Sequence, residues 1–178
     1  MTNATAAVGK AGSVATLGEE FRAEAQTTRR VLERIPTDKL SWRPHAKSMS
    51  LGQLAFHIAA VPGRTVGMFQ KTGHEVDPNA FRLIEEAKST EEILAVFDQS
   101  VKDAGVFLDS LSDEQLRATW ALTANGRPLL TKSRQDGVRM VMLSHIYHHR
   151  GQLSVYLRLL DIPVPSIYGP SGDENPFA

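Results

Sequence analysis

The run His145-Ile146-Tyr147-His148-His149-Arg150-Gly151-Gln152 places three imidazoles within an apolar-periodic segment. At about 100° per residue, a helix would project His145 and His149 from one face, roughly 40° and one turn apart. That spacing suits two ligands to one metal ion. Neutral imidazole offers a lone pair to zinc, copper, iron or nickel at physiological pH. A third ligand must come from elsewhere in the chain, and His57 is the leading candidate. His148 falls on the other flank of the helix, about 100° from His149, where it would contact substrate or support a ligand. Gln152 and Tyr156 follow His149 by three and seven residues and share its face, with packing the simpler role for Tyr156. No residue beyond the ligands is assigned to catalysis.

The neighbours of these histidines exclude some mechanisms. A zinc-protease helix needs a glutamate directly after the first histidine of the pair, and that position is Ile146. Di-iron bundles need several inward glutamates with Glu-x-x-His pairs, and none falls on the apolar stripes. A mononuclear site is expected. The chain has no cysteine, so thiolate ligands, disulfides and a protein-borne thiol nucleophile are all excluded.

Four helices are expected to position the site. The first spans about Ser13 to Ile35, with Val14, Leu17, Phe21, Ala25, Thr28, Leu32 and Ile35 at three- and four-residue spacing, and stops at Pro36. Pro36 to Met49, with its Trp-Arg-Pro unit, reads as an ordered connection. Ser50 and Gln53 have capping-box spacing and open a second helix through Leu51, Leu54, His57, Ile58 and Val61, which Pro62-Gly63 would end or kink. Gly73 to Asn79 reads as a loop, and a short helix with Phe81 and Leu83 facing inward would follow Asn79. The third helix, Thr90 to Leu111, takes Thr90 as its N-cap. Residues 112 to 133 read as irregular, with Asn125-Gly126 a turn signal and room for a short hairpin. The fourth helix, about Ser133 to Leu160, has Val138, Val141, Met142, His145, His149, Leu153, Tyr156 and Leu160 on its inner face. Gly151 within it suggests close packing or a dimer contact. A proline-bearing tail would lie extended over the bundle. The expected fold class is all-α, a four-helix bundle with long connections.

The 178 residues suffice for one core. We expect a flexible segment at 1–12 and a single domain at 13–178. Lys plus Arg and Asp plus Glu each number 20, so no global field would attract nucleic acid or anionic lipid. No secretory pattern or apolar run of membrane-spanning length is visible, which sets a cytoplasmic expectation.

The chain resembles the DinB-like superfamily of damage-inducible bundle proteins, which are distinct from the DNA polymerase of that name. The likeness covers about residues 15–178. It rests on Trp42-Arg43-Pro44, Ser50-Leu51-Gly52-Gln53-Leu54-Ala55-Phe56-His57, His145-x-x-x-His149-Arg150-Gly151-Gln152, Tyr156-Leu157-Arg158, and the segment from Pro163 to Ser171. The resemblance implies a four-helix bundle, commonly dimeric, holding one divalent metal through His57, His145 and His149. Zinc or nickel is expected first, with iron as an alternative. It further implies kinship with mycothiol- and bacillithiol-dependent transferases and a mycothiol-dependent maleylpyruvate isomerase. The expected activity is metal-assisted attack of an external low-molecular-weight thiol on a small electrophile. Hydrolysis by metal-bound hydroxide and a non-catalytic, metal-binding stress-response bundle are the alternatives.

Overall fold

The computed structural model describes residues 12–77 and 85–178. Helix α1 (Ser13–Leu32) buries Leu17, Phe21, Ala25, Thr28, Val31 and Leu32 along one stripe. Gly12 provides no side-chain cap, and the task passes to a distant residue: Asp113 Oδ1 accepts from the Val14 N–H at 3.0 Å. The helix ends before Ile35, which is still buried. A single 3₁₀ turn, Thr37–Lys39, then begins an ordered connection. Helix α2 (Leu51–Phe69) has the expected capping box, with Ser50 Oγ accepting from Gln53 N and Gln53 Oε1 accepting from Ser50 N. Pro62 neither ends nor divides it. Proline inside a helix costs about 3 kcal/mol through its missing donor and ring clash. Burial of Val61, Pro62, Thr65 and Phe69 around the proline offsets that loss, and Thr65 Oγ1 donates to the carbonyls of Val61 and Pro62.

Helix α3 (Thr90–Asp109) begins at the residue expected to cap it, so its cap lies one residue earlier. Ser89 is the N-cap, its Oγ accepting from Glu92 N at 3.2 Å. Thr90 Oγ1 instead donates to the Ile35 carbonyl, tying α3 to the end of α1. The stretch read as irregular contains a short helix α4 (Asp113–Arg117) and two antiparallel strands, β2 (Thr119–Ala124) and β3 (Arg127–Ser133). Asn125 and Gly126, at φ 50° and 72°, make the turn between them. Positive φ at both central residues is the type that matches strand twist in a two-residue hairpin. The expected loop at residues 73–79 holds strand β1 (Gly73–Glu75), which pairs parallel to β2 with His74 opposite Leu122. The expected short helix after Asn79 lies outside the described residues.

The fourth expected helix is three consecutive pieces: α5 (Arg134–Val138), a π turn (Arg139–Leu143) and α6 (Ser144–Leu159). A π turn adds a residue to the helical circuit and so rotates everything after it. The buried residues of α6 are therefore Ile146, Arg150, Leu153 and Leu157, and the expected stripe of His145, His149 and Tyr156 stands half-buried at its edge.

One apolar cluster gathers Val31, Leu32, Leu51, Leu54, Ile58, Ile93, Phe97, Leu153 and Leu157. A second joins Leu17, Phe21, Phe69, Leu108, Trp120, Val138, Met142 and Ile146. The sheet closes that second end, with Trp120 fully buried and its Nε1 donating to the Met68 carbonyl at 3.0 Å. The molecule is an all-α bundle carrying one small three-stranded sheet. Among the described residues no helix is long and apolar enough to cross a membrane.

Candidate metal centre

Helix α2 presents His57 towards α6, which presents His145 and His149 towards α2. The three rings converge with centroids 4.6–5.0 Å apart. One ring nitrogen from each lies within 4.8 Å of the others, and all three residues are partly exposed. His57 Nε2 and His145 Nε2 are 2.8 Å apart. His149 Nδ1 donates to Gln152 Oε1 at 2.7 Å, which leaves its Nε2 unprotonated.

Electrostatics keep the cluster neutral. Burial, then the neighbouring charges of His149, His145 and Arg64, lower the His57 pKa to about 4. Burial followed by His149 and His148 lowers His145 to about 4. His149 is also lowered by burial, against an opposing contribution from its Gln152 hydrogen bond. Neutral rings with free lone pairs are the donor set a borderline divalent ion takes. This is the only such group among the described residues, and its donor chemistry fits a metal ion.

The other residues singled out from the sequence separate into distinct roles. His148 is exposed at the rim, its ring 4.9 Å from that of His149. Tyr156 is committed to packing: its ring meets Trp42 edge-on at 5.6 Å and its hydroxyl donates to the Met49 carbonyl. Gly151 is exposed, and a Cβ there would meet nothing within 4 Å.

Sequence reasoning did not identify what holds α6 at its angle. Arg150, adjacent to His149, is 1% exposed and pairs with Glu24 of α1 at 2.7 Å. It also donates to Thr28 Oγ1, the Glu24 carbonyl and the Tyr168 hydroxyl, and its guanidinium lies 5.0 Å from the Tyr168 ring. The same group thus fixes the helix and the tail that lies over it. An arginine in a helix otherwise reads as a solvated charge, and its carboxylate partner 126 residues away leaves no local signal.

A helical bundle with three converging histidines defines a class of helical proteins with a candidate metal centre. The chain belongs to the DinB family, whose model matches residues 1–175. It is similar to the uncharacterized protein YrdA of Bacillus subtilis, at 27% identity over 156 residues covering 85% of each chain. It is also similar to the uncharacterized protein YjoA of the same organism, at 27% identity over 139 residues, 78% of this chain and 84% of that one. A crystal structure of a DinB-like protein from Bacillus cereus superposes with a TM-score of 0.65 at 21% identity, covering 85% of this chain and 95% of the other. The crystal structure of YjoA gives 0.64 at 21% identity, with 85% and 97% covered. Family membership and the three-histidine group together fit a metal-binding DinB-like protein.

Proposed function

We propose that His57, His145 and His149 hold one divalent ion, zinc or nickel, and that the protein transfers an external low-molecular-weight thiol to a small electrophile. The observation that carries this reading is the convergence of three neutral ring nitrogens within 4.8 Å on a partly exposed edge. When bound, the ion would act as a Lewis acid and favour the thiolate form of an incoming thiol. The protein's own residues supply the rest. Gln152 fixes the ring orientation and tautomer of His149. Exposure of the cluster lets a small molecule approach without a domain movement. His148, standing on the rim, is the side chain we assign to substrate contact.

Absence of cysteine agrees with a thiol delivered from solution. We place the activity in the cytoplasm, where such thiols are kept reduced. We further propose a homodimer formed along α6, where Val155 and Leu159 would be covered; each is more than half exposed, and Gly151 leaves room beside them.

The test is consumption of monochlorobimane in the presence of several thiols by untagged, metal-loaded protein. Thiol-dependent turnover lost in His149→Ala supports the reading. Equal rates for the two proteins overturn it, and turnover of esters or lactones without any thiol replaces it with hydrolysis.

A further inference from the structure

We propose that Asn125 is a site of spontaneous deamidation and that Glu75 is the clasp that holds the reaction back. Asn125 alone among the asparagines precedes a glycine; the others precede alanine or proline. Gly126 has no side chain to shield its nitrogen, and both residues are exposed at the tip of the β2–β3 hairpin. An asparagine in that setting loses ammonia to its own backbone. The Gly126 nitrogen bonds to Asn125 Cγ, the Cγ–Nδ2 bond breaks, and ammonia leaves with the amide proton. Water then opens the five-membered imide. Attack at Cγ gives aspartate, and attack at the main-chain carbonyl gives isoaspartate, in which the chain runs through the former side chain.

Ring closure needs the Gly126 nitrogen on the same side of the Asn125 Cα–C bond as Cβ. Asn125, at φ 50°, sits in the left-handed region, whose ψ of about +47° turns the following nitrogen away from Cβ. The reaction therefore waits on rotation of the Asn125–Gly126 peptide. Glu75, the last residue of β1, stands opposite Thr123 in the sheet and reaches the turn from there. Its Oε1 accepts from Gly126 N at 3.1 Å, and its Oε2 accepts from the Thr123 hydroxyl. Those two bonds, the hydroxyl first, hold its carboxyl below the usual range, so it stands ionised as an acceptor. The nitrogen so held is the one that must attack. Either product puts a second negative charge beside Glu75, and isoaspartate adds a backbone carbon to a turn built for two residues. Modification thus expels the clasp and releases β1 from the hairpin tip.

The experiment incubates full-length protein in mildly alkaline buffer and follows Asn125 by peptide mapping, with isoaspartate resolved from aspartate. Wild-type protein unfolded in guanidinium is the reference. Folded wild type should convert more slowly than this reference, and folded Glu75→Ala about threefold faster than folded wild type, the scale of one solvent-exposed hydrogen bond. Glu75→Gln keeps an acceptor oxygen and should stay near the wild-type rate. Thr123→Val leaves Glu75 in place but frees its second oxygen, and should fall between. The near-ultraviolet signal of buried Trp120 reports whether the sheet end is intact; if Glu75→Ala loses it, Thr123→Val decides. Equal or slower conversion in the variants than in folded wild type overturns the clasp. Absence of conversion in the unfolded protein overturns the site itself.

Discussion

His57 Nε2 lies 2.8 Å from His145 Nε2, although 88 residues separate them in the chain. Two neutral imidazoles in that relation share one proton along the line between them. A metal ion needs both nitrogens as acceptors, so loading must move that proton to an Nδ1. Substitution of His57 or His149 by alanine should lower bound metal from about one ion per chain to a small fraction, with the helical circular dichroism retained. Elemental analysis of untagged protein checks this, and full occupancy in either variant would reassign the ligands.

Gln152 acts on the site through His149. Loss of a partner that orients a ligating histidine typically costs 10- to 100-fold in metal affinity. Gln152→Ala should show that decrease in a competition titration while still reaching the wild-type stoichiometry at excess metal. Gln152→Glu, which keeps an acceptor at Nδ1, should restore most of it.

Acid should destabilise the metal-free protein through the same histidines. The folded-state pKa of His57 and of His145 is about 4, below the 6.5 of an unperturbed imidazole. Between those values the unfolded chain binds protons that the folded chain does not, so stability is fully present above about pH 6.5 and declines as pH falls towards 4. Urea midpoints across that range should decrease for the wild type and change less for a His57→Ala, His145→Ala double variant.

Arg150 is the fixed point of α6 and the tail. Arg150→Met should leave Glu24 without its ion pair and Tyr168 without its donor, at a cost of about 3 kcal/mol. Chemical denaturation measures the loss. Proteolysis after Ile162 should also accelerate, because the tail is held partly through this guanidinium.

Gly137 packs where there is no room for a methyl group. A Cβ there would sit 2.9 Å from Trp120 Cε3 and 3.0 Å from Phe69 Cε1. Overpacking of this kind costs about 1–3 kcal/mol. Gly137→Ala should lower the melting temperature although alanine is the better helix former, and a raised melting temperature would mean that the sheet end yields easily.

Local signals account for most of what the sequence made legible. The Ser50–Gln53 box, the Asn125-Gly126 turn and the His145–His149 spacing each depend on residues within a few positions of one another, and the structure has all three. His57 joins them as a candidate because it lies on an apolar face of the second helix, and the family resemblance points to the same residue. What was missed depends on distant partners. Strand β1 exists because Gly73–Glu75 finds β2, some 48 residues later. Pro62 is tolerated because tertiary burial outweighs a local penalty, and Ser89 displaced Thr90 as cap because Thr90 had a better acceptor in Ile35.

The π turn at Arg139–Leu143 makes the site sensitive to chain length in one direction only. Removing one residue from this turn would let the backbone relax into an ordinary α-helix with α6 still facing α2, because the wide turn already absorbs that residue. Inserting one residue there finds no such absorber and would turn α6 by about 100°, so that His145 and His149 face away from His57 with every ligand still encoded. A single added codon in a segment that contains no histidine should therefore abolish metal binding as completely as loss of a ligand while a single deleted codon spares it, and the function of this chain is written partly in its count of residues.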